Sequence, residues 1–148
     1  MSAVLFDVNV WLALAFTTHP KHGAAKIAFE SASRDAPAIF CRATQQSFLR
    51  LVTTPAIQKC YASEPISNAL AWDRWEVLAA MVQVRFLGEP PGLAKQWSSY
   101  ANLKTAAPKV WMDAYLAAFA KGYGITVLTL DRDFKNFADL DVQMLGAG

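Results

Sequence analysis

Short apolar runs alternate along the chain with longer stretches in which apolar residues recur every three or four positions. The short runs are typical of buried strands, and the longer stretches are typical of amphipathic helices. The runs predict strands over residues 3–6, 37–41, 84–87, 125–130 and 142–145. The periodic stretches predict helices over residues 10–16, 23–33, 44–53, 66–82, 93–103 and 108–122, and a short helical turn over residues 133–137.

Proline, serine and glycine residues mark the expected ends of these elements. Pro55 is expected to end the third helix, Ser63 to start the fourth, and Gly122 and Gly124 to end the last long one. Because strands alternate with helices, the pattern predicts an α/β fold. We expect a single domain over residues 1–148, with a mainly parallel central sheet of about four to five strands flanked by helices.

The composition agrees with one folded domain. The chain has 148 residues, of which 54% are hydrophobic and 18% charged, and these proportions exclude a disordered chain. Five tryptophans and nine phenylalanines are many for a small core. We therefore expect a second subunit or another partner to cover part of the apolar surface.

Charge and cysteine content exclude several classes of protein. A formal charge of +2 does not by itself indicate a nucleic-acid-binding protein, and Cys41 and Cys60 lack the spacing of a zinc site. The first apolar run is interrupted by Asp7 and Asn9, unlike a signal peptide, and no uninterrupted run is long enough to span a bilayer. These features predict a cytoplasmic protein with reduced cysteines and no membrane segment.

Three aspartates lie where an acidic residue is unusual. Asp7 ends the first predicted strand, Asp131 ends the penultimate one, and Asp113 interrupts the apolar stretch VWMDAYLAAFA. A carboxylate among buried residues is unfavourable unless it caps a helix, pairs with a cation or binds a metal ion. Capping or pairing is the simpler explanation for one acid, whereas three acids that can gather at one sheet edge favour a metal site. Oxygen ligands alone point to Mg²⁺ or Mn²⁺.

Other chemistries find less support. His19 and His22 lie together in a predicted loop and are expected to be surface residues, not ligands. The chain contains no phosphate-binding glycine loop and no G-x-S-x-G nucleophile motif. A haloacid-dehalogenase-like phosphatase needs a second aspartate where Asn9 stands, and a receiver domain carries its phosphorylated aspartate near the middle of the chain.

Three segments together resemble the PIN-domain ribonucleases, and among them the VapC-type toxins of type II toxin–antitoxin pairs. They are LFDVNVWLALAF near the start, ATQQSFLRLVTTP in the middle, and VWMDAYLAAFAKGYGITVLTLDRDF near the end. The resemblance covers the whole chain. It implies that Asp7, Asp113 and Asp131 are the first, third and fourth acids of the site and that Asn9 supports Asp7. Asp133, two residues beyond Asp131, is expected to cap the following turn.

The second acid of that family is replaced. The family places a glutamate in the middle helix, and the best alignment puts Gln45 at this position. No acidic residue lies between Asp35 and Glu64, so a shift in the alignment does not restore one. Gln45 keeps a carbonyl oxygen but carries no charge, which is expected to weaken metal binding.

The resemblance implies a magnesium- or manganese-dependent endoribonuclease that hydrolyses phosphodiester bonds in single-stranded RNA. Asp7 and Asp113 would hold the metal, with Asp131 in the outer shell or at a second ion. Arg50 or Lys109 would steer the RNA, or would be surface ion-pair partners. The implied partners are an RNA substrate, a small cognate antitoxin and a second copy in a homodimer. The alternative is a catalytically weakened PIN domain that serves as an RNA- or protein-binding module.

Overall fold

A computed structural model describes residues 2–146, so positions 1, 147 and 148 of the predicted domain lie outside the described range. Within this range five strands form one sheet in the order β3-β2-β1-β4-β5, and every neighbouring pair is parallel. The predicted α/β fold with a parallel sheet is confirmed. The strands are β1 (Val4–Phe6), β2 (Ala38–Phe40), β3 (Val84–Phe86), β4 (Thr126–Thr129) and β5 (Val142–Met144).

Each predicted helix has a counterpart, with ends shifted by a few residues. The described helices are α1 (Val8–Ala15), α2 (His22–Ser31), α3 (Arg42–Val52), α4 (Pro55–Cys60), α5 (Asn68–Ala79), α6 (Leu93–Ala101) and α7 (Val110–Tyr123). A 3-10 turn over Arg132–Asn136 lies where the short helical turn was predicted. Within residues 2–146, none of the helices has the length and apolar character needed to cross a membrane.

The segment between α3 and α5 differs from its prediction. Pro55 does follow the end of α3, but it also occupies the first turn of α4, where a residue without an N–H is tolerated. Ser67, not Ser63, begins α5, because its side chain accepts a hydrogen bond of 3.1 Å from the N–H of Leu70. The linker predicted here is therefore partly helical.

Neighbouring residues of the central strands point to opposite faces of the sheet. Phe6, Phe40 and Leu128 join one apolar cluster, which α1, α2, α3 and α5 cover. The residues before them in the sequence, among them Leu5 and Val127, join the second cluster with α6 and α7. Both faces are thus buried, which explains why the strands are continuous apolar runs.

Glycine is needed at two positions near the end of α7. Gly124 has a φ of 65°, a left-handed conformation that ends the helix. Gly122 lies within the last turn, and a Cβ there would come 2.5 Å from Cγ of Pro90. The predicted end of the helix therefore falls at Gly124, and Gly122 allows the loop before α6 to pack against α7.

Because all strand pairs are parallel, the carboxyl ends of the strands lie at one edge of the sheet, here called the carboxyl edge. Asp7 follows β1 directly, and Asp131 comes two residues after β4. Arg42 comes two residues after β2, at the first position of α3. The topology therefore brings both acidic and basic residues to the same edge.

Candidate active site

Asp7 is held between the two central strands. It is 5% exposed, its Oδ1 accepts a hydrogen bond of 2.7 Å from the N–H of Val8, and its Oδ2 accepts one of 2.7 Å from Oγ1 of Thr129. Burial raises the pKa of Asp7, and the charge of Asp131 adds to this, whereas the hydrogen bonds lower it. The carboxylate is therefore fixed in position but poorly solvated.

Thr129 connects the acidic residues, and it was not among the residues predicted from the sequence. Its hydroxyl donates to Asp7 and accepts from the N–H of Asp131 at 3.0 Å and from Nδ2 of Asn9 at 3.5 Å. One donor and two acceptors are what a hydroxyl offers, so this fully buried side chain is satisfied. A buried polar residue at the end of β4, two positions before an acid, is the signal that could have revealed it.

Asn9 influences Asp7 mainly through Thr129. Its Oδ1 accepts a hydrogen bond of 3.2 Å from the N–H of Leu130, and its Nδ2 reaches Thr129. Asn9 thus ties the first turn of α1 to the end of β4. Its main influence on Asp7 passes through the Thr129 hydroxyl, although its own hydrogen bonding also lowers the pKa of Asp7 slightly.

Asp131, and not Asp133, caps the 3-10 turn. The Oδ1 of Asp131 accepts a hydrogen bond of 2.9 Å from the N–H of Asp133, so the expected capping role of Asp133 is wrong. Asp131 is half-buried and Asp133 is exposed, since Asp131 lies two residues after β4 and Asp133 lies in a surface turn. Asp131 therefore has the position closer to the other acids.

Asp113 lies in the first turn of α7 and is half-buried. Burial and the negative charges of Asp7, Asp131 and Asp133 together raise its pKa to about 6. Each charge that shifts the pKa of Asp113 is thus a carboxylate. The strand ends and α7 gather acidic groups within electrostatic range of one another, and these repel.

The donor set fits a hard divalent cation. No three His, Cys, Asp or Glu side chains within residues 2–146 are arranged so that they could hold a metal ion together. Mg²⁺, however, usually keeps several waters and takes only one or two carboxylates from the protein. Asp7 and Asp113 offer such a pair, and a cation there would offset the repulsion that raises the pKa of Asp113.

Gln45 has a partner other than a metal. It is 2% exposed, and its Oε1 accepts a hydrogen bond of 2.5 Å from Nη1 of Arg42. The guanidinium of Arg42 also lies over the ring of Phe86, 4.8 Å from the centroid. The amide oxygen is therefore engaged in holding a cation at the β2–β3 end of the carboxyl edge.

A groove of about 750 Å³ separates α3 from the start of α7. Arg42, Gln46 and Arg50 line it from α3, and Met112 and Tyr115 line it from α7. Met112 directly precedes Asp113 in α7. Glu89 also lines the groove, where its Oε2 accepts a hydrogen bond of 2.7 Å from the hydroxyl of Tyr115. Lys109, the other predicted RNA-steering residue, is exposed just before α7 and does not line this groove.

The two histidines make hydrogen bonds with the backbone of this chain. Nδ1 of His22 lies 2.9 Å from the carbonyl oxygen of Ala13, and Nδ1 of His19 accepts a hydrogen bond from the N–H of Lys21. The His19 ring also stacks on Tyr61. Both histidines lie beyond the end of α1, whereas Asp7 begins that helix. These contacts explain the histidines without a metal.

Comparison with known proteins agrees with this architecture. The model of the PIN domain family matches residues 4–140. Ribonuclease VapC41 of Mycobacterium tuberculosis is 39% identical over 143 residues, which cover 96% of this chain and 98% of the relative. The structure of VapBC-1 from nontypeable Haemophilus influenzae has a TM-score of 0.68 at 15% identity and covers 97% of this chain and 98% of that one.

A second solved structure has the same fold. It is that of VapC20 of Mycobacterium tuberculosis, described as a toxin that cleaves the sarcin–ricin loop. Its TM-score is 0.64 at 18% identity, over 95% of this chain and 98% of that one. The family match over residues 4–140 and the 39% identity carry more weight than these distant structures. The chain belongs to the PIN-domain family and, within it, to the VapC ribonucleases.

Proposed function

We propose that this protein is a divalent-metal-dependent endoribonuclease that cleaves single-stranded RNA and acts in the cytoplasm as the toxin of a toxin–antitoxin pair. The observation that carries the proposal is the meeting of Asp7, Asp113 and Asp131 at the carboxyl edge, in a chain 39% identical to a VapC ribonuclease. Ligands of parallel α/β sheets collect at this edge.

Asp7 and Asp113 would hold Mg²⁺ or Mn²⁺, with Asp131 in an outer position. When bound, the ion would supply Lewis acidity toward water and toward the phosphate group. Thr129 and the Val8 N–H hold the Asp7 carboxylate in one orientation through two hydrogen bonds. Asn9 keeps Thr129 and the end of β4 in register with α1. These residues thus act as positioning groups for the carboxylates.

The half-buried setting of Asp113 suits an acid that meets both metal and substrate. Its pKa of about 6 lets it accept a proton in the metal-free protein, which relieves the repulsion from Asp7 and Asp131. Metal binding would favour the ionised form in place of that proton. Binding is therefore expected to weaken as the pH falls below about 6.

Chelation and one matched pair of variants test the proposal. The purified protein should cut a single-stranded RNA in Mn²⁺ or Mg²⁺, and EDTA should stop the reaction. Asp113→Asn should remove activity, whereas Asp35→Asn should keep it, because Asp35 is exposed in the loop before β2 at the opposite edge. Cleavage that persists in EDTA, or in Asp113→Asn, would refute the metal-dependent mechanism.

A non-catalytic binding module is the second candidate, and one observation favours it. Gln45 replaces a carboxylate, and its oxygen is engaged by Arg42. A protein with this role would bind RNA equally well with and without metal and would cut none. Measuring binding and cleavage of the same RNA, in Mn²⁺ and in EDTA, separates the two candidates.

An antitoxin and a second copy would each need an apolar surface, and two of the apolar surfaces of the described chain are candidates. Val77 on α5 and Met81, two residues beyond the end of α5, are 61% and 37% exposed and line a groove of about 340 Å³ with Leu14. On the other side, Leu103 and Trp111 are 50% and 57% exposed beside a cavity of about 350 Å³. Exposed apolar patches of this kind are typical of interaction sites.

Substitutions that introduce a charge would show which partner each surface binds. Val77→Asp and Trp111→Asp are each expected to disrupt one association and leave the other intact. Light scattering after gel filtration measures the homodimer, and co-purification measures the complex with the antitoxin encoded beside the gene. If neither variant changes either association, these surfaces are not the interfaces.

A further inference from the structure

Arg42 is an exposed arginine that the fold holds in one place. A guanidinium on the surface normally moves among many rotamers, and ordering it has an entropic cost. Here Nη1 donates to Gln45 at 2.5 Å, and the guanidinium lies 4.8 Å from the centroid of the Phe86 ring. The hydrogen bond to Gln45 uses one of the five N–H groups that a guanidinium offers. The side chain is therefore prearranged to bind an anion.

The position of Arg42 relates it to the acidic residues. It follows β2, and β2 pairs with β1, whose end carries Asp7. Neighbouring strands of a sheet lie about 4.8 Å apart, so the two chain segments leave the carboxyl edge side by side. An anion bound at Arg42 would thus lie next to a group bound at the aspartates.

A row of side chains extends from this point along α3. Arg42, Gln46 and Arg50 are spaced four residues apart, so they share one helix face, and all three line the groove beside Met112. Eight residues of helix rise about 12 Å. The groove thus has a cationic wall on α3, and Met112, the neighbour of Asp113 in the sequence, lines it from α7. Among the described residues, its one acidic lining residue, Glu89, is hydrogen-bonded to Tyr115.

We infer that Arg42, followed by Arg50, binds backbone phosphates on one side of the scissile phosphate in a single-stranded RNA that lies in this groove. The inference rests on the proposed function. A polyanion is repelled by the carboxylates, so its flanking phosphates need cations close to the acidic residues. The planar fork of arginine matches a phosphate group.

Gln45 is then a positioning residue for Arg42. A glutamate at this position would pair with the guanidinium and neutralise much of its charge. A glutamine accepts the same hydrogen bond and leaves the full positive charge for a phosphate. Gln45, in place of an acid, therefore helps Arg42 to bind the phosphates of the substrate.

Steady-state kinetics on a short single-stranded RNA with one cleavage site, in Mn²⁺, test this inference. Arg42→Gln should raise KM about tenfold and leave kcat within about twofold, because it removes one charge-assisted phosphate contact. Arg42→Lys should rescue part of the loss. Arg34→Gln is the matched control, because it removes the same charge from an exposed residue before β2, at the opposite edge.

Binding measured in EDTA keeps this test separate from catalysis. The affinity of the same RNA, followed by fluorescence anisotropy against salt concentration, should show a slope smaller by about 0.7 for Arg42→Gln. Gln45→Met, which keeps the volume of the buried side chain, should weaken binding in the same direction. The double variant should be no worse than Arg42→Gln, because Gln45 acts through Arg42. Melting temperatures establish that each variant is folded.

Several results would overturn the inference. These are RNA affinity and salt slope unchanged in Arg42→Gln, a loss in kcat alone, an equal loss in Arg34→Gln, or no RNA binding by any variant. Weakened binding of poly-L-glutamate with unchanged binding of RNA would mean that the groove takes an acidic polypeptide. RNA binding that depends on Arg42 without any cleavage would support the phosphate-binding role of Arg42 and refute the proposed nuclease activity.

Discussion

The two halves of the carboxyl edge differ in charge and in how their side chains are held. At the ends of β1 and β4, Asp7 and Asp131 lie near Asp113, and burial together with the repulsion from these carboxylates raises the pKa of Asp113 to about 6. At the ends of β2 and β3, Arg42 is held by neutral Gln45 and the ring of Phe86. The carboxylates of the first half repel one another until a cation binds. The guanidinium of the second half already has favourable contacts.

Under the proposed function, this difference would assign two tasks to the two halves of the carboxyl edge. Carboxylates that repel one another gain stability when a divalent ion binds, so the β1–β4 half suits metal. A guanidinium held by a neutral acceptor keeps its charge, so the β2–β3 half suits phosphate. A glutamine in place of the usual glutamate removes one negative charge, which would weaken metal binding and leave the positive charge of Arg42 available to a phosphate.

The largest effect is expected from removing the acid that joins α7 to the β1–β4 half. Asp113→Asn should lower cleavage by about 10³-fold or more, because a preorganised charged group next to the reacting phosphate is lost. Expression of the unmodified protein should arrest growth, and expression of Asp113→Asn should not. Asp35→Asn serves as the control and should remain toxic. Equal toxicity of the unmodified protein and Asp113→Asn would remove Asp113 from the mechanism.

The next effect concerns the hydroxyl that joins the acids. Thr129→Val should lower the free energy of unfolding by about 1–3 kcal/mol, because Asp7 and the N–H of Asp131 lose a buried partner. Urea denaturation measures this. Thr126→Val is the control on the same strand, where the half-buried side chain should tolerate the change. If both variants lose equal stability, strand packing and not the hydrogen bonds is responsible.

The pH dependence of the metal-free protein sharpens the comparison further. The folded-state pKa of Asp113 is above its ordinary value of 3.8, so its contribution is most favourable below about pH 4 and is lost as the pH rises through about 6. At pH 7 in EDTA, Asp113→Asn should be more stable than the unmodified protein by about 1 kcal/mol, a figure reduced for solvent screening of this half-buried group.

Thermal melts between about pH 4 and 7.5 would measure that difference. The difference in stability between the two proteins should shrink toward the acid end, where Asp113 is protonated in the folded state and about half protonated in the unfolded state. A constant difference at every pH would mean that the substitution acts through packing, and the electrostatic explanation would then be wrong.

The smallest expected effect concerns the coupling between Arg42 and the metal-binding half of the carboxyl edge. Gln45→Glu adds a negative charge that should tighten Mn²⁺ binding, but Arg42 should offset part of it, so we expect a gain of only about threefold. In an Arg42→Gln background the same change should produce a larger gain. Calorimetric titration of the four proteins completes a double-mutant cycle. An equal gain in both backgrounds would mean that Arg42 and the metal site are independent.

Much of this architecture could be predicted from local patterns. The apolar runs identified five strands, and the acids at strand ends identified Asp7 and Asp131, because burial and strand termination depend on neighbouring residues. Asp113 was evident from an apolar stretch that carries one charge. The helix α4 was missed because Pro55 is compatible both with the end of one helix and with the start of another.

The pattern of residues by itself determined the parallel α/β class, the succession of elements and the acidic residues that reach the carboxyl edge. Only the tertiary structure decided the strand order β3-β2-β1-β4-β5 and the contacts that follow from it. Thr129 meets Asp7 from 122 positions away, and Arg42 meets Phe86 across neighbouring strands. Such contacts depend on which distant segments pack together, and no local periodicity encodes that choice.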